Sequence, residues 1–191
     1  MKRQEIIAFY VDNDYDFVLT QNETRMPAFR LQILLAKAGV LKIQDKINYG
    51  TKAQKLGGLA EQRFHELVPK AIDANKLFKK NYPGYDFVVG NLTIDVKFSS
   101  IYSRKNTEYE YWGVKTSGCQ DCLVVFLERN AGDEMNDPYI LFIPMSFIDE
   151  GQRNIHISRN GVWLKEFAVY PDELARIIDD YAELKGSGDI A

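Results

Sequence analysis

The chain has 191 residues, 46% of them hydrophobic and 13% aromatic, and a formal net charge of −3. That composition can support a sizeable core and argues against disorder, and no apolar run approaches the roughly 20 residues of a membrane span. The start, Met1 to Val11, lacks a sustained apolar segment and a small-residue cleavage site, so a cytoplasmic protein is expected, in a bacterial cell or a phage-infected host.

In chain order, residues 1–11 read as a strand. A helix is expected from about Pro27 to Ala38, carrying Phe29, Ile33 and Leu34 and ended by Gly39. Lys42 to Leu56 is polar and reads as a loop or short helix leading into Gly57-Gly58. From about Gly58 a second helix carries Ala60, Phe64, Leu67 and Val68 on one stripe, and Pro69 ends or kinks it.

The segment Tyr82 to Ser100 is the most informative. A two-residue turn at Gly90-Asn91, of the kind with glycine first, pairs Val89 with Leu92, Val88 with Thr93 and Phe87 with Ile94. Continued outward, the count sets Asp86 against Asp95. Because strand side chains alternate, Phe87, Val89, Leu92, Ile94 and Val96 form one apolar face, and Asp86, Asp95 and Lys97 share the other. Two carboxylates directly opposite have Cβ atoms roughly 5 Å apart, which is unfavourable without a proton or cation between them. A divalent cation is the simplest resolution. Mg²⁺, with Mn²⁺ as a substitute, takes hard oxygen ligands of this kind and acts on phosphate esters.

The acid-x-Lys tripeptide Asp95-Val96-Lys97, preceded across a hairpin by Asp86, resembles the core motif of the PD-(D/E)xK nuclease superfamily. Pro83 and Asp86 stand for its first element, here spread over Pro-Gly-Tyr-Asp rather than adjacent. The tripeptide alone is ordinarily a solvated strand face. The hairpin register, the apolar opposite face and an upstream helix with a glutamate weigh the other way. The resemblance covers about residues 57–145. It implies an α/β fold with a restriction-endonuclease-like core, a central mixed β-sheet flanked by helices. It also implies metal ligation by Asp86 and Asp95, with Glu61 from the preceding helix assisting directly or through water and the Val96 carbonyl as a further ligand. Glu66 is a weaker candidate than Glu61, and Glu61 can also be read as an acidic residue placed favourably near a helix N-terminus. Lys97 would align the attacking water and counter charge. The activity implied is an endodeoxyribonuclease, hydrolysing phosphodiester bonds by direct attack of water. DNA as partner rests on the resemblance, and a homodimer is expected of a small enzyme that cuts both strands.

The charge is unevenly spread. Residues 25–80 carry 12 basic and 4 acidic side chains, and residues 119–191 carry 6 and 14. A basic segment beside an acidic metal site is compatible with holding a phosphate backbone; a solvated helical face is the plain alternative. Lys52, Lys55, Arg104, Lys105 and Lys115 are the candidate nucleic-acid contacts. Tyr102, Tyr109, Tyr111 and Trp112 interleave with the last three and can stack on bases or form a half-buried loop. In the resembling family a polar residue on a helix after the acid-x-Lys strand often reaches the phosphate, but Gly113 and Gly118 make a helix around Lys115 doubtful.

Cys119-Gln-Asp-Cys122 has no second pair, and only His65 and His156 could join it, so structural thiols are expected. Cys122 to Leu127 and Tyr139 to Pro144 read as central strands covered on both faces. Glu128 to Asp137 reads as a surface loop. Asn160-Gly161 signals a second hairpin, and a C-terminal helix begins near Pro171 with Leu174, Ile177, Ile178, Tyr181 and Leu184 as its stripe. The division expected is residues 1–56 as an N-terminal extension of strand plus helix, and 57–191 as the nuclease-like core with C-terminal hairpin and helix. Two rival functions remain: a non-catalytic nucleic-acid-binding or assembly protein on the same fold, and an enzyme acting on small phosphate compounds.

Overall fold

The computed structural model describes residues 1–74, 84–103 and 109–188, and the chain begins with helices where a strand was expected. Helices α1 (Arg3–Asp12), α2 (Phe17–Thr24) and α3 (Ala28–Lys37) enclose a small core of Ile6, Tyr10, Phe17, Leu31, Leu35 and Leu41. The apolar run Ile6 to Val11 is rich in β-branched and aromatic residues, which favoured a strand. Its Ile6 and Tyr10 are also one helical turn apart, and burying both against α3 decides for the helix. The Glu5 carboxylate accepts from the Lys2 backbone N–H at 2.8 Å and closes the first turn.

A short helix α4 (Ile43–Tyr49) precedes α5 (Lys52–Leu67), which Thr51 caps by accepting from the Gln54 N–H. The helix therefore starts before Gly58 and runs through the expected division at residues 56 and 57. It ends before Pro69, with Ala60, Phe64 and Val68 buried as its stripe demands.

The hairpin forms in the expected register. Strands β2 (Phe87–Val89) and β3 (Leu92–Ser99) pair Phe87 with Ile94, Val88 with Thr93 and Val89 with Leu92. Gly90 turns the chain at φ +59, a conformation that disfavours any side chain. With β1 (Ile72–Asp73), β6 (Cys122–Leu127), β7 (Tyr139–Pro144) and β9 (Ala168–Val169), they form a six-stranded sheet in the order β1-β2-β3-β6-β7-β9. Only the β3–β6 pair is parallel, so the sheet is mixed.

The two central strands alternate between two cores, which is why both read as unbroken apolar runs. Val124, Phe126, Ile140 and Phe142 meet the hairpin's apolar face, α5 and the C-terminal helix, here numbered α7 (Leu174–Ser187). Phe64 and Phe87 anchor this side with ring centroids 4.8 Å apart, and full burial of such a side chain contributes about 2–3 kcal/mol. On the other side Leu123, Val125, Leu127, Leu141 and Ile143 meet a second, three-stranded sheet. That sheet is β4 (Tyr102–Ser103), β5 (Glu110–Lys115) and β8 (Asn154–Ser158). The stretch 99–117 thus contains strands rather than only a loop, and Trp112 is fully buried with its indole N–H donating to the Glu128 carbonyl at 2.9 Å. The loop after β6 folds around the buried Glu128 side chain, which accepts from the Gly132, Glu134 and Ile101 amides.

Asn160-Gly161 does not turn a hairpin. Neither residue has positive φ, and Gly161 instead precedes helix α6 (Val162–Phe167). Trp163, Leu164 and Phe167 share a helical face and cover the second core, which a strand would split between two faces. Helix α7 begins at Leu174 and continues through Gly186 and Ser187, the first part of the tail expected to be loose; Leu174 and Ile178 are its buried residues. Among the described residues, no helix is long and apolar enough to cross a membrane.

Candidate active site

Beyond Phe87 the hairpin ladder is replaced by other contacts. The Asp86 amide donates to the Ile94 carbonyl at 2.9 Å, and its carboxylate Oδ2 accepts from the Val96 amide at 2.8 Å. The Asp86 carbonyl accepts from the Ala74 amide, tying β1 to the same point. These bonds hold Asp86 against β3, where its side chain is within hydrogen-bonding range of Asp95. Asp86 and Asp95 are 4% and 3% exposed, so the two carboxylates come close in a buried setting although the strand pairing itself does not extend to Asp86. Val96 points its side chain into the helix-side core.

Lys97 emerges on the Asp95 face, and its Nζ donates to Asp95 Oδ1 at 2.5 Å. Burial alone would lower its pKa, but the charges of Asp95, Asp86 and Glu61 outweigh it and the net shift is upward. Asp95 moves upward as well, to about 8. Burial is the main cause and the Asp86 charge adds to it, against an opposing contribution from Lys97.

Glu61 reaches the cluster from α5. It is 6% exposed, and burial pushes its carboxyl up to about 7, opposed by Lys46 and reinforced by the charges of Asp86 and Asp73. Glu66 is exposed and paired with Arg63, so the weaker candidate lies outside the site.

Two residues belong here that the sequence did not single out. Lys46 donates to both Glu61 oxygens, at 2.7 and 2.9 Å. Asp73, on β1, adds a fourth carboxylate within electrostatic reach. Lys46 gets there because α4 lies tightly on α5 at Gly58. A Cβ at that glycine would come within 3.1 Å of Ile47 Cγ1 and of Lys46 Cβ, and 3.2 Å of the Ile43 carbonyl. Gly57-Gly58 reads in the sequence as the lead-in to the helix, and only the start of α5 at Lys52 puts Gly58 inside it. Tyr10 fixes α4 from the other side, its hydroxyl donating to Asp45 Oδ2 at 2.5 Å in a buried position.

Of the candidate nucleic-acid contacts, Lys52 and Lys55 are exposed on the first turn of α5, and Lys52 pairs with Glu134 at 2.9 Å. Lys115 is exposed on β5, on the face opposite buried Trp112 and Val114, and sits on a strand rather than a helix. Arg104 and Lys105 lie outside the described residues, as does Pro83. Both cysteines are free, and burial pushes the Cys122 thiol up to about 12, which suits a structural role and not a metal-binding thiolate.

Among the described residues, no three His, Cys, Asp or Glu side chains already stand around a common metal position. Ammonium groups instead sit on the oxygens of Glu61 and Asp95. The donor chemistry nevertheless fits a hard divalent cation. Glu61, Asp86 and Asp95 offer only oxygen ligands, the donor type such a cation takes. The upward shifts of Asp95 and Glu61 reflect buried negative charge that Lys46 and Lys97 compensate only in part. No protein-family model matches the chain, and no curated protein matches it.

Proposed function

We propose that this protein is a metal-dependent nuclease of the PD-(D/E)xK type, acting on DNA as an endonuclease through a restriction-endonuclease-like core. The observation that carries this reading is the buried meeting of Asp86 and Asp95 at the end of a hairpin, with Lys97 bonded to Asp95 at 2.5 Å and Glu61 close by. A purely structural domain gains nothing from burying carboxylates against one another.

In this reading Asp86, Asp95 and Glu61 would hold Mg²⁺ or Mn²⁺, with the Val96 carbonyl as a further ligand, and the ion would supply water activation and neutralisation of phosphodiester charge. The Val96 amide holds Asp86 in place through its Oδ2. Lys97, charged and half-exposed, aligns the attacking water and counters charge that develops on the phosphate. Lys46 keeps Glu61 compensated until the ion and substrate arrive. Cleavage of both strands would use two copies of the chain.

The test is cleavage of supercoiled plasmid with Mg²⁺, Mn²⁺ or EDTA, comparing wild type with Asp95→Ala and Lys97→Ala. Metal-dependent nicking lost in both variants is the expected result. Plasmid, branched and single-stranded substrates all left intact would overturn the reading. The rival, a non-catalytic nucleic-acid-binding protein, draws on the ion pairs that already neutralise Glu61 and Asp95. It requires nucleic-acid binding with no cleavage under any metal.

A further inference from the structure

The N-terminal helices, basic only from residue 25 onward, fold into a geometry with a use of its own. Helix α2 has 8 residues, three residues (Arg25, Met26 and Pro27) connect it, and α3 follows with 10. Arg25 stands in the left-handed region at φ 51, so the chain leaves α2 abruptly and re-enters a helix at once. Phe17 of α2 and Leu31 and Leu35 of α3 share one core with Ile6 and Tyr10 of α1. Two short helices joined by a three-residue turn and sharing a core with a third match the element order and turn length of a helix-turn-helix, whose second helix lies in the DNA major groove.

The exposed side of α3 fits that use. Burial of Leu31 and Leu35 leaves Phe29, Arg30, Ile33 and Lys37 facing outward, with Phe29 and Ile33 59% and 47% exposed. Gln32 borders the same face and is half-buried. From Thr24 to Gln44 the chain contains no Asp or Glu, but it carries Arg25, Arg30, Lys37 and Lys42. Arg30 and Lys37 on this face can meet a phosphate backbone, and the exposed apolar side chains between them can meet thymine methyl groups. Arg and Gln are the side chains that read guanine and adenine edges.

We propose that α2 and α3 form a helix-turn-helix that binds duplex DNA through the Phe29, Arg30, Ile33 and Lys37 face, separately from the carboxylate site. The N-terminal unit then selects where on a duplex the chain sits, and α4 links it to the site through Lys46. This binding needs no metal.

The test is fluorescence anisotropy with a labelled mixed-sequence duplex in EDTA, across a salt series. It compares wild type, Arg30→Ala with Lys37→Ala, and Phe29→Ser with Ile33→Ser. All four altered α3 side chains are exposed, and circular dichroism of each variant checks the fold. Wild type is expected to bind without any metal. The Arg30/Lys37 double variant should bind roughly tenfold or more weakly, with the salt slope reduced by about 2. Selection from a random duplex pool should enrich a short motif that the Phe29/Ile33 variant loses. Unchanged duplex affinity in the Arg30/Lys37 variant would overturn the proposal, as would no duplex binding by wild type. It would also fall if Phe29/Ile33 substitution abolished self-association in sedimentation while leaving DNA binding intact, because the face would then join two copies of the chain. Plasmid cleavage is scored separately, so loss of the nuclease reading and loss of this one are distinguishable.

Discussion

Raising the pH should destabilise the metal-free protein, and Asp95→Asn should remove much of that loss. Burial and the neighbouring Asp86 charge raise the Asp95 carboxyl from an ordinary 3.8 to about 8, and burial raises Glu61 from 4.5 to about 7. The folded protein therefore holds these protons at a pH where the unfolded chain has released them. Stability contributed by a raised carboxyl is fully present below its unfolded pKa and declines until the folded pKa is passed. Between those limits each group costs about 1.4 kcal/mol per pH unit. From pH 5 to 7 Asp95 alone corresponds to about 3 kcal/mol. Glu61 adds to this, though by less than a second full share because the carboxylates are coupled. Lys97, shifted upward, does not titrate in this window, and Asp121, shifted downward, acts only in more acidic solution. For a chain of this length, about 3–5 kcal/mol corresponds to a fall in Tm of roughly 10 °C. Differential scanning calorimetry at pH 5, 6, 7 and 8, in EDTA at constant ionic strength, reads it directly. Asp95→Asn should reduce the slope by about half, and Mn²⁺ should flatten the wild-type profile by favouring the charged carboxylates. A flat wild-type profile in EDTA, or an unchanged slope in Asp95→Asn, would refute the reasoning.

Lys46→Met should leave Glu61 buried without its cation and cost about 2 kcal/mol at pH 8, falling toward pH 5 as Glu61 takes up a proton; urea denaturation at the two pH values measures it. Gly58→Ala forces α4 off α5 by a few tenths of an ångström and should cost about 1–3 kcal/mol while weakening the Lys46–Glu61 pair, read by the same titration and by metal-dependent cleavage. Tyr10→Phe deprives the buried Asp45 carboxylate of its donor and should cost about 1–3 kcal/mol, lowering Tm without altering the cleavage pattern. Phe87→Ala opens the core beneath the hairpin beside Phe64 and should cost about 3–5 kcal/mol by chemical denaturation.

Local signals were enough for the hairpin. Gly90 accepts the positive φ of the turn, and alternation then assigns Asp95 and Lys97 to one face by counting, whereas Asp86 lies beyond the paired residues and is held there by the Val96 amide. The helical spacing of Ala60, Phe64 and Val68 likewise set Glu61 beside a buried stripe. Short apolar runs were less decisive. Ile6 to Val11 fits either period, and burial of Ile6 and Tyr10 against a helix distant in sequence made the choice. Asn160-Gly161 carried a strong turn signal, but what followed depended on Trp163, Leu164 and Phe167 covering a core assembled from other strands.

The sequence by itself determined the hairpin register, the two doubly covered central strands and the acid-x-Lys face, because these follow from backbone geometry and side-chain alternation over neighbouring residues. Tertiary structure alone decided that Lys46 grips Glu61 and that Asp73 joins the carboxylates. It also decided that the stretch after β3 builds a second sheet and that the N-terminal segment is a helical unit with an outward cationic face. Those outcomes depend on which surfaces meet across long stretches of chain. The electrostatics of a buried site depend on the same meetings, since burial and distant charges set them together.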